Sequence, residues 1–261
     1  MTTVHLDAAR NALRRGGVLL LVAKALRYLS DRIVTFGAQR ALARRRARIR
    51  TISDAVNTAY GFADWDVVIA PMQVRSEIEA LLELLAEDPP RAVLEIGTAR
   101  GGTLFLLTHV ARDDATLVSV DLPGGDFGGG YPPAMAPLFT SFARQQQVIE
   151  LICGDSHSDA TRAAVARVLG QRAVDFLLID GDHTYEGVRR DFAMYSPLVR
   201  RDGWIALHDV VSGRPELVGG VPDFWRELKS SRSAQELVHD WNQEAYGIGL
   251  IKKGTEHGTV A

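Results

Sequence analysis

The chain has 261 residues, of which 46% are hydrophobic and 24% charged, and its net charge is −2. These values are ordinary for a globular protein with a sizeable core, and no internal repeat or low-complexity tract is evident. The single cysteine, Cys153, excludes an intrachain disulfide and favours a reducing compartment, so we expect a cytoplasmic protein.

Basic residues are concentrated in the first fifty positions, which hold twelve Arg or Lys against Asp7 and Asp31. The longest apolar run there, residues 18–23, is far shorter than the roughly 20 residues that span a bilayer. Residues 1–75 show helical spacing without a strand pattern, which predicts a basic helical extension before a main domain at 76–261.

The role of the basic extension stays open at this stage. It can lie on an anionic membrane, which would place the protein at the inner face of the membrane, or pack on the main domain or a partner subunit. Nucleic acid is not an expected partner, because the basic cluster at 43–50 lacks aromatic interleaving.

From residue 75 onward, short apolar runs alternate with helical stretches. Helices are predicted at 75–86, 103–112, 138–147, 159–169, 186–199 and 221–229. Strands are predicted at 92–97, 116–121, 148–155, 174–180 and 204–209, with a closing antiparallel pair near 235–241 and 247–253. This alternation predicts an α/β fold with a doubly wound, mostly parallel, seven-stranded sheet.

The first three strands end in residues that suit a nucleoside ligand. EIGTARGGT (95–103) supplies glycines for close backbone approach, followed by a helix N-terminus. Asp121, at the end of the second strand, can accept both hydroxyls of a ribose, and Gly154-Asp155-Ser156 can reach the adenine edge. The spacing G-x-x-x-G-G differs from the dinucleotide fingerprint and favours a nucleoside without a pyrophosphate over NAD.

The fourth and fifth strands end in Asp180 and Asp209. If these strands are neighbours about 4.8 Å apart, both carboxylates can share one hard divalent cation. His208 precedes Asp209 and is either a ligand for a softer metal such as zinc or manganese, or a neighbour that hydrogen-bonds a bound water. Asp182 and Thr184 are expected to cap the following helix, and Glu186 to favour its first turn.

Together these motifs, with IDGDHTYEGVRRDF (179–192) and LHDV (207–210), resemble class I S-adenosylmethionine (SAM)-dependent methyltransferases. More narrowly, they are similar to small metal-dependent O-methyltransferases, including those that methylate sugars in glycans and macrolides. The resemblance spans about residues 70–252 and leaves out the basic extension. The resemblance assigns SAM binding to Glu95, Gly97, Thr98, Gly101, Thr103, Asp121, Gly154, Asp155 and Ser156.

The same resemblance assigns a metal site, with magnesium favoured over manganese or zinc, to Asp180, Asp209 and His208. It also assigns catalysis to Asp180 and to His183, the latter as general base. An imidazole can accept a proton at neutral pH, and a cation on the same oxygen would lower the pKa of a sugar hydroxyl.

We therefore expect a SAM- and metal-dependent O-methyltransferase that acts on a sugar hydroxyl of a glycan or glycosylated natural product, as a homodimer. A histidine base favours sugars, because the catechol-type relatives use lysine; a phenol or catechol is the alternative acceptor. A nicotinamide-dependent oxidoreductase and a non-catalytic docking protein are the alternatives from other classes. The glycine- and proline-rich loop at 122–137 can shape the acceptor pocket through Phe127 and Tyr131.

Overall fold

The computed structural model describes residues 3–122 and 130–256, without the side chains of residues 3–21 and 255–256. Its helices are α1 (Thr3–Arg46), α2 (Ile52–Gly61), α3 (Arg75–Glu87), α4 (Gly102–Val110), α5 (Ala136–Thr140), α6 (Asp159–Leu169), α7 (Tyr185–Tyr195), α8 (Pro215–Val218) and α9 (Val221–Ser230). Its strands are β1 (Ala63–Asp64), β2 (Val67–Val68), β3 (Ala92–Ile96), β4 (Thr116–Asp121), β5 (Val148–Cys153), β6 (Val174–Ile179), β7 (Val199–His208), β8 (Arg232–Leu237) and β9 (Ile248–Glu256).

Seven strands form the main sheet, in the order β5-β4-β3-β6-β7-β9-β8. The first five of these are parallel, whereas β9 runs antiparallel to both β7 and β8. Every residue of β3 and β4 is buried, as expected where helices cover both faces of a parallel sheet. The predicted doubly wound, mostly parallel seven-stranded sheet is confirmed, including its closing antiparallel pair.

The sheet separates two hydrophobic clusters. One contains Phe105 and Phe142 and packs beneath α2, α3 and α4, while the other contains Tyr195 and Trp225 beneath α6, α7 and α9. Helices therefore cover both faces of the sheet, and the carboxyl ends of the parallel strands are left to form a site at one edge.

Two predicted helices have wrong boundaries. The helix predicted at 138–147 is the short α5, because the residues beyond Thr140 turn instead. The Gln147 amide donates to three carbonyl oxygens in the last turn of α4 and just after it. The helix predicted at 186–199 ends at Tyr195, since Pro197 cannot continue the helical hydrogen bonding. The following strand begins at Val199 rather than 204.

The N-terminal segment is helical, as predicted, with one addition. At about 1.5 Å per residue, α1 is about 66 Å long. The two-residue strands β1 and β2 form a hairpin that the sequence pattern did not predict, because strands this short show no alternation. Among the described residues, no helix is both long and apolar enough to cross a membrane.

The C-terminal part of α1 packs into the main domain. Ala38, Leu42 and Phe62 are buried in the same cluster as the apolar side chains of α3 and α4. Arg46 also donates to the carbonyl oxygen of Ser141, at 2.7 Å. The predicted domain boundary at residue 75 stays a prediction. These contacts show that side chains from residues 38–62 belong to the same hydrophobic core as the main domain.

Leu42→Ala should lower the free energy of unfolding by about 2–5 kcal/mol, because it leaves a cavity in the shared core. Urea unfolding followed by circular dichroism measures the change, and Arg44→Ala, two residues along on the exposed side, should change it by less than about 0.5 kcal/mol. A separate early transition for the N-terminal segment, with the main transition unchanged by Leu42→Ala, would contradict this packing.

Candidate active site

A cleft of about 820 Å³ opens above the carboxyl ends of the parallel strands. It lies where the chain order reverses between neighbouring β3 and β6, the usual position of a ligand site in an open α/β sheet. Its lining includes Gly97, Thr98, Thr103, Asp121, Gly154, Asp155, Ser156, Asp180, His183, His208 and Asp209, all predicted as site residues. We call it the central cleft.

Gly97 joins the two central strands at the floor of the cleft. Its φ of 93° lies in the left-handed region, and a Cβ there would lie 1.9 Å from the carbonyl oxygen of Asp180. The chain therefore needs glycine at this position for both conformation and space. This contact brings the turn after β3 directly against the turn after β6.

Glu95 and Gly101 do not line the central cleft. Glu95 is fully buried under its floor, where burial raises the pKa of its carboxyl well above the usual range and Ser119 donates to Oε2 at 3.1 Å. Gly101, with φ of 76°, is the N-cap of α4, and a Cβ there would lie 2.7 Å from the Phe139 ring. Their positions support structural roles, so a direct cofactor contact stays a prediction.

Asp121 lies at the end of β4, in the lining of the cleft. Its Oδ2 accepts the backbone N–H groups of Thr98 (3.0 Å) and Ala99 (2.8 Å). Its Oδ1 accepts those of Leu122 (2.8 Å) and Gly130 (3.0 Å). The carboxylate therefore organises the loops on both sides of the cleft, and its predicted contact with a ribose stays untested.

The turn after β5 forms the far wall of the cleft and is held by α7. The Tyr195 hydroxyl donates to the Ser156 carbonyl oxygen at 2.7 Å, and Arg190 donates to that of His157 at 2.8 Å. His157 Nε2 lies 3.3 Å from a carboxylate oxygen of Asp191, which is fully buried. The nearby Asp191 carboxylate is the main cause that raises the pKa of His157 above its usual value, and Nε2 also lies 3.1 Å from the Gly187 carbonyl oxygen.

Asp180, His183 and Asp209, the acid–imidazole cluster, converge at the other end of the cleft. One ligand atom from each lies within 4.8 Å of the other two. His183 Nε2 is 3.6 Å from Asp180 Oδ1 and 3.5 Å from Asp209 Oδ2. The expectation that β6 and β7 are neighbours, and that their terminal carboxylates meet, is confirmed.

Residues from outside the predicted motifs hold the two carboxylates. Gln73 donates to Asp180 Oδ2 at 2.8 Å and accepts from the Thr103 hydroxyl at 2.9 Å. The backbone N–H of Tyr246 donates to Asp209 Oδ1 at 3.0 Å, and Asp209 itself has a positive φ of 61°. Oδ2 of Asp209 is thereby directed towards the cluster.

His183 is fixed by the segment between β7 and α9. Its Nδ1 lies 2.8 Å from the Leu217 carbonyl oxygen, and its own carbonyl oxygen accepts from Gly220 N at 2.7 Å. A Cβ at Gly219 would lie 2.0 Å from that same oxygen. Because Nδ1 donates to a carbonyl, the neutral imidazole carries its lone pair on Nε2, facing the carboxylates.

His208 supports the carboxylates from beneath. Its Nδ1 lies 3.1 Å from Asp180 Oδ1 and 3.2 Å from Asp209 Oδ2, and its buried Nε2 has no hydrogen-bond partner among the described residues. It does not belong to the group whose ligand atoms converge, which contains His183 instead. Of the two roles left open for His208, this geometry supports the hydrogen-bonding neighbour.

The negative charge of the two carboxylates outweighs the effect of burial on the pKa values of the neighbouring histidines. Burial alone would lower the pKa of His183, but the hydrogen bond and charge of Asp180 and the charge of Asp209 raise it to about 9. Burial also opposes the charged form of His208, yet the two carboxylates raise its pKa well above the usual value. Burial would raise the pKa of Asp180, but the charge of His208 and hydrogen bonds from both histidines lower it.

The residues between His183 and α7 have the predicted structural role. Thr184 is the N-cap of α7, and its side chain accepts from Gly187 N at 3.0 Å. Asp182 accepts from Thr184 N at 2.8 Å, and Glu186 lies in the first turn. Asp182 and Thr184 therefore start a helix, and both also line the central cleft beside Asp180 and His183.

Sequence reasoning missed Gln73, Leu217 and the Gly219-Gly220 turn. Gln73 is 107 residues from Asp180 in sequence, so no local pattern could indicate the contact. The paired glycines were a visible signal, because adjacent glycines mark a turn that needs close backbone approach. In the predicted acceptor loop, Tyr131 packs edge-on against Phe139, and Phe127 lies outside the described residues.

Residues 94–210 match the family model described as a methyltransferase domain. This stretch, less than half of the chain, is therefore similar to methyltransferase domains. It contains the turn after β3, Asp121, the turn after β5 and the acid–imidazole cluster, whereas Gln73 and Leu217 lie outside it. No curated protein matches the sequence significantly.

Two solved O-methyltransferase structures have the same fold as this chain. The O-methyltransferase TomG from Streptomyces achromogenes, involved in tomaymycin synthesis and solved with SAM, is 19% identical, with a TM-score of 0.53 over 78% of this chain and 89% of that chain. An O-methyltransferase from Bacillus cereus, solved with S-adenosylhomocysteine (SAH), is 17% identical, with a TM-score of 0.55 over 79% and 93%. The fold is the Rossmann-like methyltransferase fold.

The His157–Asp191 contact should stabilise the folded chain in a pH-dependent way. Because the folded-state pKa of His157 is raised, its stabilisation is fully present below the unfolded value of about 6.5 and is lost as pH rises through the folded value. His157→Ala should therefore lower the free energy of unfolding more at pH 5.5 than at pH 8.5. Urea unfolding at both pH values measures the difference.

Tyr195→Phe is the matched control, because it removes a hydrogen bond to the same turn without removing a group that titrates in this range. Its effect should be equal at the two pH values. An equal effect of His157→Ala at both values would contradict the charged interaction with Asp191.

Proposed function

We propose that this chain is a SAM-dependent O-methyltransferase that uses a divalent cation and acts on a sugar hydroxyl of a glycan or glycosylated natural product. The observation that carries the proposal is the convergence of Asp180, Asp209 and His183 in the same cleft as the glycine turn after β3. A methyl-donor site and a site that activates an acceptor oxygen would thus share one cavity.

The cleft suits SAM in size and lining. Its volume of about 820 Å³ lies in the range of small-molecule sites, and the floor at Gly97 lets a ligand approach the backbone. Asp155 is exposed beside the cleft next to Ser156, where it can meet an adenine edge, as predicted. When bound, SAM would supply the methyl group that is transferred.

The acid–imidazole cluster suits a divalent cation. Two neighbouring carboxylates form a donor set that suits magnesium or manganese, and the raised pKa values of His183 and His208 reflect the negative charge there. Asp180 and Asp209 would hold the cation, which would lower the pKa of the acceptor hydroxyl. Magnesium remains our first choice because the resemblance to metal-dependent O-methyltransferases implies it, although those proteins have a carboxylate or amide where this chain has His208.

His183 is suited to take the proton from the acceptor. Its Nδ1–H bond to Leu217 leaves Nε2 as the proton acceptor. A cation held by Asp180 and Asp209 would offset the carboxylate charge that raises the pKa of His183 to about 9, so that Nε2 would be unprotonated near neutral pH. Gln73 and His208 keep the two carboxylates oriented by hydrogen bonds. The acceptor oxygen would form a bond to the methyl carbon as the carbon–sulfur bond breaks and the proton passes to Nε2.

A phenol or catechol is the second candidate acceptor, favoured by the apolar mouth of the cleft. Met72, Leu217 and Tyr246 line it and are each 39–48% exposed. Met72 precedes Gln73, which hydrogen-bonds Asp180. Leu217 and Tyr246 supply the backbone groups that hydrogen-bond His183 and Asp209. These side chains can pack on an aromatic ring or on the apolar face of a sugar, so the acceptor is decided by assay.

Calorimetric titration with SAH tests the methyl-donor site, with NAD as the control ligand. SAH should bind with a micromolar Kd, whereas NAD should not bind, because the turn after β3 lacks the pyrophosphate fingerprint. Failure of a well-folded sample to bind SAH would contradict the proposal and favour the non-catalytic docking protein.

Transfer of radiolabelled methyl from SAM to panels of glycosides and catechols tests the acceptor and the base. His183→Ala should lower kcat by about 10²–10⁴-fold while SAH affinity changes little, because general-base catalysis is lost. His239→Ala, which removes an exposed histidine outside the cleft, should leave kcat unchanged. EDTA should abolish transfer; full kcat in His183→Ala or in EDTA would contradict the mechanism.

A further inference from the structure

Five large apolar side chains of α1 are exposed along one line of the helix. They are Val22 (49% exposed), Leu26 (63%), Leu29 (55%), Ile33 (61%) and Phe36 (58%), and we call them the α1 stripe. A continuous apolar surface of this kind marks an interaction site more often than a row of solvated side chains.

The stripe has the spacing of a coiled-coil seam. Successive members are separated by four, three, four and three residues, an average of 3.5, which keeps every side chain on one face of paired helices. At 100° per residue, this face is opposite to the one that carries Ala38 and Leu42, which are buried in the main domain. The domain of the same chain therefore does not cover the stripe.

The residues beside the stripe favour a helix as its partner rather than a lipid surface. Ala25 and Ser30 flank it, and small flanking residues let two helices approach closely. Lys24 and Arg27 lie on the opposite side of α1, whereas a helix lying in a membrane surface places its basic residues along the edges of the apolar face. Arg32, nearer the edge, donates to the Tyr28 hydroxyl at 3.1 Å.

The β1–β2 hairpin adds an independent observation at the end of the stripe. Its turn residues Trp65 and Asp66 have φ values of 59° and 57°, a left-handed turn that normally selects asparagine and glycine. Trp65 is nevertheless 53% exposed, and its ring lies where a Cβ on Gly37 would be, within 2.3 Å. A large aromatic side chain thus occupies a costly conformation over Gly37, the residue that follows Phe36, where it adds exposed apolar surface.

We infer that the α1 stripe binds the same stripe of a second copy of this chain, with the two helices antiparallel and Leu29 near the two-fold axis. In a parallel pair, Arg40, the next position of the series, would face its own counterpart and the like charges would repel. Antiparallel pairing instead places Phe36 beside Val22 of the other copy, at the same level along the seam.

The available surface is sufficient for such a pair. If a fully exposed large apolar side chain offers about 150–200 Å², five at their observed exposure give roughly 500 Å² per copy, or about 1,000 Å² in total. That is the lower end for a specific interface, and Trp65 adds to it. The interface would also hold α1 in place, and with it the contacts of Thr35 and Gln39 with residues 134 and 137.

Sedimentation velocity of the full chain, at micromolar to tens of micromolar concentration, tests the inference. The wild type should be a dimer, and the double variant Leu29→Glu/Ile33→Glu should weaken the dimer by about 100-fold or more, because the seam would bury unpaired charges. Lys24→Glu/Arg27→Glu, on the opposite face, introduces as many glutamates and should remain dimeric. Circular dichroism and SAH titration confirm that all variants are folded.

Two outcomes would overturn the inference. One is a wild type that stays monomeric, and the other is a dimer that both double variants retain. Co-sedimentation with phosphatidylserine vesicles tests the alternative that the stripe binds a membrane. In that case the wild type would be a monomer that pellets with the vesicles at low salt, and the Leu29→Glu/Ile33→Glu variant would not pellet.

Disulfide cross-linking tests the orientation, in a Cys153→Ser background that removes the native thiol. Leu29→Cys should form linked dimers by itself. Phe36→Cys should not, but should link to Val22→Cys when the two are mixed. Self-linking of Phe36→Cys without linking to Val22→Cys would overturn the antiparallel arrangement.

Discussion

Two carboxylates, a half-buried and a buried one at the ends of neighbouring parallel strands, are the constraint on which the site depends. Asp180 and Asp209 would repel each other in a partly dehydrated cleft unless positive charge and hydrogen-bond donors surround them. The structure supplies two imidazoles, the Gln73 amide and the Tyr246 backbone N–H. Gln73 precedes the matched stretch of residues 94–210 and Tyr246 follows it, so residues on both sides of that stretch contribute to the site.

The contact between β3 and β6 links the two halves of the site. There is no room for a side chain at residue 97 against the Asp180 carbonyl oxygen. The turn expected to bind the cofactor is therefore in direct contact with the residue expected to bind the cation. Asp209 has a positive φ, and Gly219 packs closely on the His183 backbone, so the backbone is also closely constrained at these two positions. Backbone geometry, rather than side-chain packing alone, sets the distances among Asp180, His183 and Asp209.

The sequence predicted the features that depend on local pattern. The seven-stranded sheet, the cap at Thr184 and the meeting of Asp180 with Asp209 follow from apolar runs and from parallel strands ending at one edge. Gln73 could not be predicted, because its contact joins residues more than one hundred positions apart. The place of His208 beneath the carboxylates, and of Glu95 below the cleft, depends on side-chain direction, which spacing alone does not fix.

Electron paramagnetic resonance of Mn²⁺ titrated into the purified chain tests the central claim, that Asp180 and Asp209 form a cation site. The wild type should bind one Mn²⁺ per chain, and Asp209→Asn should weaken binding by about 10-fold or more, since one of two charged ligands is lost. Asp182→Asn, which changes only the carboxylate at the start of α7, should bind as the wild type does. Equal binding by Asp209→Asn and the wild type, or no binding by the wild type, would contradict the account.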